Sequence, residues 1–377
     1  MSRAVVITGL GLVSCAGEGV EAHLAALDGD AAPRTDTETF APYPVHPAPA
    51  IAWDGQIPKR SDQRQMEAWQ RLGVYAAGLA LDSAGVKDDA ALKQALHLVV
   101  AAGGGERDYA VDGAILTGLR DAPDPGAYLN ERLQNDLRPT LFLAQLSNLL
   151  AGNIAIVHGV TGASRTFMGE ESAGVDSLRI ARARVASGQI DAILVGGSYS
   201  AERPDVLVVH EMGGYLAHGG YRPVFARGAP GGFILGSCAA FLMLESDDHA
   251  AARGARAFAR LDAVASDRTR RMPGSLAGSL ADLWQKAGLT APDRILSGAT
   301  GVPSITAEEG DALARLAPGA RIRALGDVVG HGLEVAAPLG AALAAALVAH
   351  GRAREVAVTT VGHRRGEGVL RVVPASP

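Results

Sequence analysis

The sequence predicts an α/β protein in which sheets are sandwiched by helices. Three observations carry that expectation. Runs such as Val5-Val6-Ile7-Thr8 and Ala192-Ile193-Leu194-Val195 are apolar or β-branched at successive positions, as in strands covered on both faces. Between such runs lie stretches with a single apolar stripe at helical spacing, for example Val175, Leu178, Ala181 and Val185. Glycines such as Gly85 and Gly188 stand where those stretches stop. Strand and helix alternate along the chain, which is the pattern of layered α/β architectures.

Taken in order, Val5 to Thr8 is a buried strand that leaves through Gly9, and residues 17–26 are helical. Residues 30–60, rich in Pro, Asp and Thr, form a long irregular excursion. Residues 66–84 are a long helix closed by Gly85. Residues 96–102 are a strand followed by Gly103-Gly104-Gly105. Residues 141–152 and 172–187 are helical. Ala192 to Val195 is a strand capped by Gly196-Gly197, and residues 233–245 carry a long strand. The C-terminal part repeats the style. It has a strand near Ile295, helices from about Glu308 and Ala336, and strands at 356–361 and 369–373. The polar stretch from Asp247 to Arg256 is the best boundary, giving an N-terminal half of 1–250 and a C-terminal half of 251–377, without a visible sequence repeat between them.

Composition narrows the function. Of 377 residues 48% are hydrophobic and 20% charged, ample material for a core. A net charge of −5 argues against nucleic acid as the main partner. The local basic runs, Arg268-Thr269-Arg270-Arg271 and Arg364-Arg365, read as solvated loops. Two cysteines, Cys15 and Cys238, make neither a disulfide framework nor a zinc spacing. The apolar stretch at Ala4 to Thr8 is too short and too close to glycines for a signal peptide, and the Ala-rich stretch 336–348 is too short to span a membrane. A cytoplasmic location, without membrane contact, is expected.

Several segments then resemble, in the right order and across most of the chain, the elongating β-ketoacyl-acyl carrier protein synthases. They are Ala4 to Ser14; Asn148 to Gly152 with His158-Gly159 and Gly162; Gly188 to Gly197; Tyr221-Arg222-Pro223 with Phe225; Gly232 to Gly236; and Gly330-His331 before an Ala-rich helix. The resemblance implies a thiolase-like fold of five layers, αβαβα, built from two similar halves, and a dimer. A dinucleotide-binding reading of Gly9-x-Gly11 fails at the third glycine, where Ser14 stands.

The same resemblance exposes what is missing. Condensing enzymes of this type use a cysteine thiolate at a helix N-terminus, two histidines that hydrogen-bond the malonyl thioester, and a lysine. The cysteine position falls on Glu171, the first histidine on Thr300 and the lysine on Gly326, while His331 is retained. A carboxylate does not serve as a thiolate in acyl exchange, so no catalytic residue is expected. Gly362-His363-Arg364-Arg365-Gly366-Glu367 replaces the family's Phe-Gly-Gly-Thr-Asn gate, and His363, a loop histidine next to arginines, reads as a surface residue.

Three losses at three motifs imply a non-catalytic chain length factor. Such a subunit pairs with an active ketosynthase as a heterodimer, in polyketide, polyene or fatty acid biosynthesis, and meets the acyl carrier protein through the complex. It shapes the acyl tunnel at the interface by exclusion. Asp108, Tyr109, Asp112 and Leu116 are the expected tunnel face, and Glu171 with Glu170 is expected to reach towards the partner. No metal or organic cofactor is implied. The alternative is a malonyl-carrier-protein decarboxylase that uses Glu171 in place of the cysteine, and a third reading is a homodimeric scaffold.

Overall fold

In the computed structural model, which describes residues 2–29, 31–139, 141–268 and 270–375, the apolar runs become strands of one eleven-stranded sheet. Its main strands are β1 (Val5–Ser14), β2 (His97–Ala101), β3 (Ser164–Phe167), β4 (Ala192–Tyr199), β5 (Cys238–Ser246), β6 (Ala259–Asp267), β7 (Arg294–Ser297), β8 (Arg321–Ala324), β9 (Val356–Val361) and β10 (Glu367–Val373). Their order is β8-β7-β9-β10-β6-β1-β5-β4-β2-β3, and the short Gly17–Glu18 pairs with β1.

That order splits into two blocks with one pairing pattern. In the first, β1 is antiparallel to β5 and β5 to β4, while β4 is parallel to β2 and β2 to β3. In the second, β6 is antiparallel to β10 and β10 to β9, while β9 is parallel to β7 and β7 to β8. The blocks meet through the pairs Val6–Arg260 and Ile7–Ala259. The likeness of the halves therefore lies in backbone pairing, which tolerates almost any apolar side chain and leaves no repeat in the sequence.

The main helices are α1 (Gly19–Asp28), α2 (Ala68–Ser83), α3 (Tyr109–Asp121), α4 (Pro125–Asn135), α5 (Leu149–His158), α6 (Glu171–Ala186), α7 (Pro204–Met212), α8 (Leu276–Lys286), α9 (Pro303–Leu316) and α10 (Ala336–Ala349). Both α6 and α10 touch strands of both blocks and pack on each other, so they form the middle layer. Every residue of α10 from Ala336 to Val348 is buried, as an all-apolar helix requires. Helices α2 and α5 cover the first block from outside, and α8, with α9 packed beside it in one apolar cluster, covers the second. The result is five layers, helix–sheet–helix–sheet–helix. The largest apolar cluster lies around the middle helices, with satellites under α2 and under α8–α9.

Several boundaries differ from the sequence reading. The helix expected over 141–152 is two helices, Leu141–Gln145 and α5. The helix expected from about Glu308 starts earlier, at Pro303, where proline fits the first turn. The long strand expected over 233–245 is Leu235–Gly236 followed by β5. Gly196 and Gly197 do not cap β4 but lie inside it. A Cβ on Gly196 would stand 2.5 Å from Phe241 Cγ, and one on Gly197 2.4 Å from the Ala101 carbonyl oxygen, so close packing of strand and side chain demands glycine there. The run around Arg268 is not freely solvated: Arg268 bonds Asp176, and Arg271 bonds Glu367 and the Gly362 carbonyl. Thr269 lies outside the described residues. Arg364 and Arg365 are exposed. Among the described residues no helix is long and apolar enough to cross a membrane.

Candidate functional site

The site begins where α6 begins. Gly169 (φ 132°) and Glu170 (φ 58°) make a sharp turn that ends in Glu171, the first residue of the helix. Positive φ at a non-glycine residue is backbone strain, which persists only where the surroundings hold it. The turn aims the Glu171 side chain inwards, and the residue is 0% exposed.

Two imidazoles meet it. His331 lies in the segment before α10. It is pinned by its N–H to the Ile234 carbonyl (2.8 Å) and by the Gly236 N–H to its own carbonyl (3.0 Å). Its Nε2 is 2.8 Å from Glu171 Oε1. His363 follows β9 in a turn closed by the Gly362 N–H to the Gly366 carbonyl (2.8 Å). Its Nδ1 is 2.8 Å from the same Oε1, and its backbone N–H donates to that oxygen at 3.2 Å. Since a carboxylate only accepts, each facing ring nitrogen carries a proton in this arrangement.

Burial drives the Glu171 carboxyl up, but the hydrogen bonds and charges of His331 and His363 more than reverse this and hold it below the usual carboxylate range. Burial opposes the charge on His363, yet the bond and charge of Glu171 raise its pKa. Phe233 packs 4.8 Å from the His331 ring and 5.4 Å from the His363 ring, and Tyr215 packs 4.6 Å from His363. The second oxygen, Glu171 Oε2, is buried without a hydrogen-bond partner. The three donor atoms of Glu171, His331 and His363 lie within 4.8 Å of one another, a spacing that ligands of one cation share.

Two expectations are corrected here. His363 is not a surface residue: it is 3% exposed, because the turn after β9 folds in over the start of α6. Glu171 does not reach towards a partner. Its carboxylate is buried, and its Oε1 is bonded to two histidines of its own chain. Sequence reasoning missed the pairing because His363 stands at a position where the resemblance offers no histidine. The one available signal was a histidine inside a motif that had otherwise lost its pattern.

Thr300 and Gly326, the other positions expected to have lost a catalytic side chain, lie apart from this cluster of bonds. Thr300 is buried and its hydroxyl accepts the Val302 N–H at 3.2 Å. Gly326 is buried, and a Cβ there would lie 2.9 Å from Val224 Cγ2, so a lysine has no room without a shift. The gap among Gly326, His331, Cys238 and Leu339 has about 10 Å³, at most a single water. Burial pushes the Cys15 thiol up to about 12 and Cys238 higher still, so neither supplies a thiolate.

The expected tunnel residues are placed apart from this cluster, around α3. Asp108 caps the helix by accepting the Val111 N–H (3.3 Å), and the Tyr109 hydroxyl donates to Asp205 (2.6 Å). Asp112 pairs with Arg107 at 2.7 Å and lines an open groove of about 560 Å³ with Leu133 and Phe142. Leu116 is 63% exposed. A separate cavity of about 200 Å³ adjoins the site, lined by Glu170, Ser198, Tyr199, His210 and Glu334. Burial raises the Glu334 carboxyl to about 7 and lowers His210 to about 4, the latter helped by the charges of His363 and His331. Sequence reasoning did not find Glu334 or His210.

A carboxylate thus stands at a sharp turn into a central helix, faced by imidazoles from the second block. Residues 2–250 match the family model for the β-ketoacyl synthase N-terminal domain. The chain belongs to the β-ketoacyl synthase family. Among β-ketoacyl synthase relatives, the tetracenomycin polyketide synthase ketoacyl synthase beta subunit of Streptomyces glaucescens is 28% identical over 338 residues, covering 84% of this chain and 78% of that one. The 3-oxoacyl-[acyl-carrier-protein] synthase 2 of Vibrio cholerae is 26% identical over 267 residues, covering 69% and 62%. Among solved structures, the ishigamide ketosynthase/chain length factor superposes over all of both chains with a TM-score of 0.82 at 23% identity. That likeness fixes the thiolase-like fold of this β-ketoacyl synthase relative.

Proposed function

We propose that this chain is a non-catalytic chain length factor that pairs with an active ketosynthase and serves acyl carrier protein-bound chains through that complex. The observation that carries the reading is the Glu171 cluster. The position of the thiolate holds a carboxylate already bonded to His331 and His363, so it offers no sulfur for acyl transfer. Relatives support it: one is named as a ketoacyl synthase beta subunit of a polyketide synthase. The surface fits a partner as well. Strand β3 ends the sheet, with Ile156 (74% exposed) on the neighbouring α5 and Met168 (62%) at its tip. Such an edge is what a second subunit covers. In this reading Asp108, Tyr109, Asp112 and Leu116 are the tunnel residues of the complex, the halves divide near residue 250, and the product belongs to the polyene, polyketide or fatty acid class.

The alternative, a malonyl-carrier-protein decarboxylase using Glu171, gains from one finding: His363 restores a second imidazole that Thr300 lacks. One experiment separates the two. The chain is co-expressed with an intact ketosynthase, and the purified chain alone is assayed for carbon dioxide release from malonyl carrier protein. Co-purification as a heterodimer with no release alone is expected. Turnover by the chain alone that Glu171→Ala abolishes would overturn the proposal.

A further inference from the structure

We infer that Glu171, His331 and His363 form a binding site for a divalent transition-metal ion, of which Zn²⁺ is the chemically best suited. The inference stands independently of the partner reading, since a chain length factor and a decarboxylase would carry the site equally.

Three features of the geometry carry it. The first is the donor set. One ligand atom from each residue lies within 4.8 Å of the others, Glu171 Oε1 stands 2.8 Å from both His331 Nε2 and His363 Nδ1, and all three residues are buried. Two imidazole nitrogens and one carboxylate oxygen are a zinc set that leaves a fourth position for water or a ligand. The second is the unspent oxygen. Glu171 Oε2 is buried in the same place with no partner, so the carboxylate retains coordinating capacity that the hydrogen bonds do not use. The third is the outer shell. His363 Nε2 faces Glu170 Oε1 at 3.6 Å, with Arg364 4.0 Å from the same oxygen. A carboxylate behind an imidazole holds the ring proton on the far nitrogen and leaves the near one bare for a metal. Here the 3.6 Å gap is longer than a hydrogen bond, so the Glu170 charge favours a proton on Nε2, and Nδ1 releases its own proton when a metal binds.

The cluster is also rigid. Glu171 starts a buried helix, His331 is bonded through its backbone to residues 234 and 236, and His363 is bonded through its backbone to Glu171 itself. Phe233 and Tyr215 pack on the rings. Donors fixed by separate elements lose little freedom when an ion binds. Without an ion, ring protons bridge Glu171 Oε1 to both nitrogens at 2.8 Å; a bound metal releases those protons to solvent and sits off the N···O lines, with the donors spread to roughly 3.3 Å apart.

The test uses the full chain, with its ketosynthase partner if the pair is needed for solubility. It is stripped with a chelator and titrated with Zn²⁺ by calorimetry, then with Co²⁺ while visible absorption is followed. One equivalent of Zn²⁺ per chain and Co²⁺ bands of a low-coordinate nitrogen–oxygen site are expected. Glu171→Gln and His363→Asn should each weaken Zn²⁺ by more than tenfold, and Glu170→Gln, behind the ring, by about tenfold. His218→Ala, on the surface beside Glu211, should leave binding unchanged. Circular dichroism confirms that each variant is folded. Absence of Zn²⁺ uptake by the wild-type chain would sink the inference, as would uptake equal in wild type, Glu171→Gln and His363→Asn.

Discussion

Two buried glutamates sit at opposite ends of the same electrostatic logic. Both have an unpartnered Oε2, but the bonds and charges of His331 and His363 hold the Glu171 carboxyl down, whereas Glu334 has the charges of Glu171 and Glu170 nearby. Burial comes first among the causes that lift Glu334 to about 7. The sign follows from linkage. Between the unfolded carboxyl pKa and about 7 the folded chain binds more protons than the unfolded one, so stability falls as pH rises through that window. A shift of this size corresponds to about 3 kcal/mol. Glu334→Gln should remove that fall, so that its stability relative to wild type improves from pH 5 to pH 8. Denaturant titrations at both values check it, and parallel pH dependences in the two proteins would contradict it. The backbone around the site is strained as well. Glu170 (φ 58°) and Leu333 (φ 46°) are the non-glycine residues with positive φ among those described, and they precede Glu171 by one residue and follow His331 by two. Strain concentrated there fits a constellation held for its geometry.

At the scale of elements, the site depends on how closely α6 approaches the segment before α10. Gly174, one turn into α6, is the contact point. A Cβ there would fall 2.2 Å from the Glu334 carbonyl oxygen and 2.9 Å from Pro338 Cδ. Neither neighbour is the free end of a flexible side chain. Gly174→Ala should therefore force the middle helices apart and cost at least about 2 kcal/mol, although alanine favours a helix intrinsically. Thermal or denaturant unfolding measures the loss, and a neutral or stabilised variant would show that the layer has slack. The sequence displayed the apolar stripe of α6, which is why the helix was legible to within a residue. It did not display the register of α6 against α10. Stripes tell which face is buried but not what lies opposite.

Across the whole molecule, β3 and β8 end the strand order, each paired on one side only among the described residues. Ile156 and Met168 beside β3 are exposed apolar side chains, as are Val209 and Met212 on α7. If β3 and its surroundings are where the ketosynthase docks, Ile156→Asp should weaken the complex by about 2 kcal/mol, some thirtyfold. It should shift the unfolding of the isolated chain by no more than about 0.5 kcal/mol. Size-exclusion or calorimetric binding against the partner reads the first and a melt reads the second. Unchanged association would move the interface elsewhere.

The sequence by itself determined the layered α/β class, most of the strands and helices, and which side chains, Glu171, Thr300, Gly326 and His331, stand within the short motifs. These are local facts: apolar runs, helical stripes, glycine stops and single side chains within short motifs. Tertiary structure alone decided which side chains meet Glu171. His363 lies 192 positions from Glu171 and His331 lies 160 away, and no periodicity links such distances. The turn after β9 brings His363 inwards only because the two sheet blocks clasp the same pair of middle helices. A charge that reads as solvated in a loop becomes buried and paired when the chain closes over it, since burial belongs to the packed molecule and not to the residue.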